Sequence, residues 1–334
     1  VENDPVVAKT YRLNHPEVLL YQCDVRSVSP TEMMEKAALE RGQLTVLSVC
    51  APCQPFSRQN RYRLGDTRAP LILETIRFVS VLLPVFVFLE NVPGLKECDP
   101  ILKTLTDGLS DIGYLVEGPK VVDAVNYGVP QFRKRLILLA GRYEKPAFPK
   151  PTHLPPEEAA KTGKARWRTV ADAFVGLPKL ASGEKSEVDP LHRARRHASI
   201  VLERLKYIPH NGGSRHELPP HLQLTCHCKG NAIGYNDVYG RMAFDRPSNT
   251  LTGGCTNVTK GRFAHPVEDR AITPREAARL QTFPDWYEFF GSYGQVSEQI
   301  GNAVPVLLAE TFARVFFDLW QDLTRPEAPV AIAC

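Results

Sequence analysis

Apolar residues in the first 143 positions gather into short unbroken runs, separated by longer stretches with helical spacing. Leu44-Thr45-Val46-Leu47-Ser48-Val49, Val85-Phe86-Val87-Phe88-Leu89 and the segment Arg135 to Ala140 have the length and composition of buried strands. Val18-Leu19-Leu20-Tyr21, leading to Asp24, and residues 114–117 add two more strand patterns. Between them, helical spacing covers Pro30 to Arg41, Ala69 to Leu83 and Pro100 to Ile112. Such alternation predicts an α/β fold on a parallel, doubly wound sheet.

The texture changes at Lys145. Pro146, Pro149, Pro151, Pro155 and Pro156 crowd one short linker and mark a boundary. Residues 151–262 read as irregular, with turns at Asn211-Gly212-Gly213, Pro219-Pro220 and Gly253-Gly254. Helical spacing returns at Pro274 to Leu280, with Thr273 as N-cap and proline at the first helical position. An amphipathic helix from Pro305 to Trp320 is expected to pack back on the sheet.

Bulk numbers narrow the class. The 334 residues are 43% hydrophobic and 23% charged, as in ordinary globular proteins. The apolar stretch at 78–89 is interrupted by Ser80 and Pro84, so strand-sized pieces explain it better than a membrane span. No signal pattern occurs in Val1-Glu2-Asn3-Asp4. Eight cysteines in so long a chain are no disulfide framework and point to a reducing compartment, the cytosol or a nucleus. The net charge of +4 is uneven: residues 151–265 hold 17 Lys/Arg against 10 Asp/Glu, and eight of the nine histidines. A basic insert on a mildly acidic body suits a polyanion-binding part beside a catalytic one.

The candidate chemistry lies at strand ends. Pro52-Cys53-Gln54-Pro55-Phe56-Ser57 holds a cysteine on a stiff loop after the first buried run, at the edge where open α/β sheets bind ligands. Glu90-Asn91-Val92 ends the second run, and Gln131-Phe132-Arg133-Lys134-Arg135 opens the third. A thiolate nucleophile needs nearby positive charge, which Arg133 and Arg135 can supply, and Glu90 can handle a proton. Two rival readings use other cysteines. Cys50-x-x-Cys53 has redox spacing, although Cys50 reads better as strand core; Cys226-His227-Cys228 with Cys255 offers zinc donors without the usual paired spacing.

These stretches together resemble the ordered motif series of the cytosine-5 DNA methyltransferases: Cys53 in PCQPFS, Glu90 in ENV, Gln131, Arg133 and Arg135 as QxRxR, and Gly301-Asn302-Ala303-Val304-Pro305. Asp66-Thr67-Arg68 with Leu71, and the run Arg275 to Pro284, carry the match over nearly the whole chain. The resemblance implies a Rossmann-like, doubly wound methyltransferase sheet. Residues 1–145 and 263–325 would form one discontinuous catalytic domain, 146–262 a smaller irregular target recognition domain, and 326–334 a tail. It further implies that a cytosine is swung out of duplex DNA, because its ring is unreachable inside the stack. Cys53 would attack carbon 6, Glu90 would hold and protonate nitrogen 3, and Arg135 would bind the carbonyl oxygen, with Arg133 supporting the pocket and the anionic intermediate. Carbon 5 would then take a methyl group from S-adenosylmethionine, leaving S-adenosylhomocysteine, with no metal involved.

By the same resemblance Glu2, Asn3, Asp24, Val25, Pro52, Leu71, Asn302 and Val304 would line the cofactor site. Gln54, Ser57, Arg58, Arg68, Gln131, Thr250 and Thr252 would meet DNA. Within 58–68, Arg58, Arg61, Arg63 and Arg68 interleave with Tyr62, a pattern suited to phosphate contacts on a closing loop. The expected partner is double-stranded DNA, bound by a monomer away from any membrane, with a restriction endonuclease of the same site as companion. One departure stands out. The glycine-rich loop expected just before Glu2 has no FxGxGG-like counterpart in the sequence, and the preferred explanation is an amino-terminal piece lacking from this chain. Two alternatives share the fold: an RNA cytosine-5 methyltransferase, whose Cys-Phe-Thr signature is not matched by Cys255-Thr256-Asn257, and an inactive DNA-binding relative.

Overall fold

The computed structural model describes residues 1–56, 66–224 and 237–325. Helix α1 (Pro5–Asn14) starts at Asp4, whose carboxylate caps the backbone N–H groups of Val6 and Val7. Helix α2 (Pro30–Lys36) is shorter than its apolar spacing suggested, since Ala38 turns the chain through a φ of 52°. Strand β1 (Val46–Val49) is followed by α3 (Glu74–Leu82), β2 (Phe86–Asn91), α4 (Asp99–Asp111), β3 (Leu115–Asp123) and β4 (Lys134–Gly141). The predicted strand at Val18–Tyr21 is irregular backbone, where the Tyr21 carbonyl accepts from the Glu2 N–H at 2.9 Å.

The α/β class is as expected, with a mixed sheet of order β1-β2-β4-β3. β1 runs parallel to β2, with Val46 beside Phe86 and Val49 beside Leu89. β4 runs antiparallel to both β2 and β3. The reason is connection length. Only residues 124–133 separate β3 from β4, too few for the crossover that a parallel neighbour needs. β4 therefore runs against the other three strands.

Period-two alternation splits the sheet residues between two cores. Val87, Leu89, Leu136 and Leu138 face Leu102, Leu105 and Leu109 of α4. Phe86, Phe88, Ile137 and Leu139 face the other way, onto Leu308, Phe312 and Phe316. The insert is more regular than its sequence suggests, with α5 (Pro156–Thr162), α6 (Val170–Phe174) and α7 (Ser199–Tyr207). Then come α8 (Pro274–Leu280), α9 (Tyr293–Asn302) and α10 (Val306–Thr324). Thr273 and Glu276 form the capping box that opens α8. A further core joins Val170 and Phe174 of α6 with Leu251, Phe263, Ala277, Leu280, Val296 and Ile300. The insert is thus packed against α8 and α9 without a break at 262.

Phe312 is 1% exposed and its ring lies within 6.0 Å of the rings of Phe88, Tyr127 and Phe148. Truncating it leaves a cavity that the rigid sheet cannot close. Phe312→Ala is expected to cost about 3–5 kcal/mol in chemical denaturation; a loss under about 1 kcal/mol would show that α10 does not anchor the sheet.

Candidate active site

The β2–β4 register places Glu90 opposite Ile137. Arg135 lies two residues from Ile137, so it shares a face with Glu90 as its diagonal neighbour. Arg135 Nε donates to Glu90 Oε1 at 2.7 Å, and both side chains are about nine-tenths buried. Arg135 Nη1 also donates to the Lys134 carbonyl at 2.8 Å. Burial raises the Glu90 pKa, opposed by the Arg135 and Arg133 charges. Cys53, half-buried on the loop after β1, is raised as well: burial is the main cause and Glu90 adds to it, while Arg135 pulls the other way. In the free protein the sulfur is therefore a thiol near neutral pH, close to the charge pair that can modulate it.

Two contacts lock the cysteine loop to the glutamate strand. Asn91, fully buried, donates from Nδ2 to the Ala51 carbonyl at 3.2 Å. A Cβ on Gly94 would lie 2.0 Å from the Phe56 carbonyl oxygen, so the two loops touch backbone to backbone and only glycine fits. Pro55 and Phe56 are buried, and the Phe56 N–H bonds the Cys53 carbonyl at 3.0 Å, which closes the turn beyond the sulfur. Asn91 and Gly94 are supporting residues that the sequence reading passed over. The pattern Glu-Asn-Val-Pro-Gly, a polar and a glycine residue straight after a buried strand, was the available signal.

Arg133 differs from its neighbour. It is 1% exposed, and its guanidinium donates at 2.8 Å each to the carbonyls of Leu251, Gly301 and Ala303. Burial and the Arg135 charge press its pKa down, yet a guanidinium stays protonated. Arg133 thus spans from the insert's return to both sides of Asn302 and holds that exposed residue in place. Val304 is half-buried against the Phe312 cluster.

The other candidate cofactor positions lie around α3. Arg77, on α3, donates to the Val25 carbonyl at 2.9 Å, and Val25 packs with Phe78 and Leu82. Asp24 accepts from Arg26 through backbone and guanidinium, which lowers its pKa to about 2. Glu2 is half-buried, and its carboxylate accepts from the Asp4 N–H at 2.8 Å. Asn3 is exposed beside it, whereas Pro52 and Leu71 are half-buried. Acceptor carboxylates at Glu2 and Asp24 suit the hydroxyls and amino group of a nucleoside, so the donor and acceptor set fits that part of the expected cofactor.

Of the candidate nucleic-acid residues, Ser57 and Arg58 lie outside the described residues, as do Cys226, His227 and Cys228. Gln54 is exposed on the turn after Cys53. Arg68 is paired with Asp66 at 2.9 and 2.7 Å and is near enough to feel the Cys53 charge. Thr250 is exposed and donates to the Phe132 carbonyl, and Thr252 is half-buried. Gln131 is not brought to the surface. Fully buried, its amide bonds Leu280, Gln281 and Leu251. Cys50, read as strand core, is exposed, one residue past the end of β1. Cys255 is buried, with its thiol toward Ser297.

The charge arrangement sets how Cys53 responds to substitution. Iodoacetamide labelling of the Cys53 peptide is expected to be slow at pH 7 and to climb through pH 9 and above. Glu90→Gln removes a negative neighbour and is expected to speed labelling at pH 8 by about threefold or more; Arg135→Met is expected to slow it. Equal rates in all three proteins, read by mass spectrometry, would mean that the sulfur does not sense the pair.

The chain matches the family described as C-5 cytosine-specific DNA methylase over residues 1–318. It is 35% identical over 322 residues to the type II methylase M.HgiDII of Herpetosiphon aurantiacus, an alignment covering 94% of this chain and 86% of that one. Against the type II methyltransferase M.Eco47II of Escherichia coli, identity is 33% over 317 residues, covering 92% and 70%. Among solved structures, a methyltransferase encoded within an Escherichia coli prophage superposes with a TM-score of 0.71 at 23% identity, covering 96% of this chain and 91% of that one. The S. pombe Dnmt2 methyltransferase gives 0.63 at 17% identity, covering 96% and 90%. A match of this extent, together with a cysteine loop fastened to a buried glutamate–arginine pair, establishes that the chain belongs to the C-5 cytosine-specific DNA methylases.

Proposed function

We propose that the protein methylates carbon 5 of cytosine in double-stranded DNA, with Cys53 as nucleophile. The observation that carries the reading is the 2.7 Å Arg135–Glu90 contact, buried beside the Cys53 loop. A pyrimidine is a poor nucleophile at carbon 5 until a thiolate adds to carbon 6. Cys53, once its thiol has given up its proton to solvent, forms that carbon–sulfur bond on an extruded base. Glu90, whose raised pKa favours carrying a proton, hydrogen-bonds and protonates nitrogen 3 as the electron pair moves into the ring. Arg135 faces the cytosine carbonyl oxygen and steadies the charge that develops there. S-adenosylmethionine, on which this family's methyl transfer depends, supplies an electrophilic methyl group when bound. Loss of the carbon-5 proton to solvent then re-forms the ring double bond and releases the sulfur as thiolate, and nitrogen 3 returns its proton to Glu90.

The remaining assignments support that chemistry. Glu2, Asp24 and Val25 would hold the nucleoside, with Asn3, Pro52, Leu71, Asn302 and Val304 completing the site. Arg133 serves the pocket from behind, through the carbonyls that it grips, and no metal takes part. Residues 1–145 with 263–325 form the catalytic part and 146–262 the target recognition part, meeting along the core that runs across their boundary. Exposed Arg195 and Arg196 of the basic insert suit phosphate contacts, and Thr250 and Thr252 suit groove contacts. Similarity to type II methylases favours a cognate endonuclease as companion, a monomer as the acting form and the cytoplasm as the setting.

Incubation with duplex DNA carrying 5-fluorocytosine and S-adenosylmethionine traps the intermediate, since fluorine at carbon 5 blocks the final elimination. A covalent adduct on the Cys53 peptide is expected, and Cys53→Ser should abolish it. An adduct with RNA but not DNA would move the protein to the RNA branch, and none with either would leave a binding protein.

A further inference from the structure

Two glutamines with no role in the reaction above form a buried hydrogen-bond chain between the parts assigned to DNA and to cofactor. Gln281 caps the end of α8 and is 0% exposed. Its Nε2 donates to the carbonyls of Ile300 at 2.5 Å and Ala303 at 3.2 Å, on the segment that presents Asn302. Its Oε1 accepts from Gln131 Nε2 at 3.0 Å. Gln131 Oε1 in turn accepts the Leu251 N–H at 2.8 Å, between Thr250 and Thr252. Every amide therefore points the same way. Turning one or both over sets oxygen against oxygen or nitrogen against nitrogen, because the Leu251 N–H at one end and the Ile300 carbonyl at the other are fixed, so the chain holds a single sense.

The surroundings leave it little slack. Arg133 donates to Gln131 Oε1 at 3.3 Å and shares the Ala303 carbonyl with Gln281. A Cβ on Gly301 would lie 2.1 Å from the Thr252 carbonyl oxygen, so the insert's return and the end of α9 are in backbone contact. Thr282, next to Gln281, sits at a φ of 62°, with its hydroxyl accepting the Leu307 N–H at 3.0 Å. Displacing Leu251 by one hydrogen-bond length would break the chain or drag Ile300–Ala303 with it.

We propose that Gln281 is a positioning residue that couples DNA engagement at Thr250–Thr252 to cofactor affinity at Asn302–Val304. The inference rests on the cofactor and DNA assignments proposed above. Coupling of this kind is reciprocal: each ligand changes the other's affinity by the same factor.

Calorimetric titration with S-adenosylhomocysteine, with and without sheared mixed-sequence duplex DNA, measures that factor. For the unaltered protein, DNA is expected to tighten S-adenosylhomocysteine binding about tenfold. In Gln281→Met the ratio should fall to about one, and the ratio rather than the affinity in the absence of DNA is the readout. The paired variant Gln131→Met/Gln281→Met removes both amides, so neither faces an apolar partner. It guards against one amide being left to face an apolar side chain and should also show a ratio near one, with circular dichroism confirming that it folds although the Leu251 N–H and the Ile300 carbonyl lose their side-chain partners. A tenfold ratio persisting in either variant overturns the proposal, as does a ratio of one in the unaltered protein. Failure of the unaltered protein to bind S-adenosylhomocysteine at all strikes the cofactor assignment itself, and the coupling with it.

Discussion

A carboxylate taken out of water is tolerated only with a partner, and the structure around this site follows from supplying one. Glu90 ends a strand buried along its whole length, so no solvent is on hand to stabilise its charge. The antiparallel arrival of β4 brings Arg135 to it on the same face, and that arrival depends on the short β3–β4 connection. Were β4 parallel to β2, the guanidinium at its first turn would lie at the opposite end of the sheet. The one strand that runs against the others is thus what assembles the charge pair.

Arg133, two residues away, shows how similar side chains take different work from their neighbours. Arg135 meets a carboxylate, which makes it part of the reacting environment. Arg133 meets three backbone carbonyls from the insert and the end of α9, which makes it a strut. Both are buried, so each must be satisfied by acceptors. Those of Arg133 come from segments more than a hundred residues distant, whereas Arg135 bonds Glu90 of the neighbouring strand and the adjacent Lys134 carbonyl. Insert and sheet are consequently joined by buried polar contacts as well as by an apolar core, an arrangement in which movement of one is felt by the other.

Much of this was readable before any coordinates. Apolar runs marked β1, β2 and β4 to within two residues, and β2 and β4 most plainly, because strands covered on both faces leave few polar positions to blur them. Thr273 and Pro274 marked the start of α8 through local capping chemistry that needs no tertiary partner. Readings went astray where distant contacts prevail. Val18–Tyr21 has strand composition, but its backbone bonds, Val18 N–H to the His15 carbonyl and Glu2 N–H to the Tyr21 carbonyl, do not form a ladder. Cys50 follows an apolar run yet is exposed just past the end of β1. Gln131, polar and beside two arginines, reads as a surface contact, and burial gives it a different task.

The amino-acid sequence by itself determined the chemical inventory: a cysteine on a proline-stiffened loop, a glutamate at a strand end, arginines two apart, and a basic insert, all in the order that marks the family. Those are local features, written in residue type and spacing. Only the tertiary structure decided which arginine pairs with Glu90, which one braces the insert, and that Asn91 and Gly94 hold the two loops in register. Pairing of that kind turns on strand direction and on which distant carbonyl comes within about 3 Å, and neither is encoded in the spacing of residues along the chain.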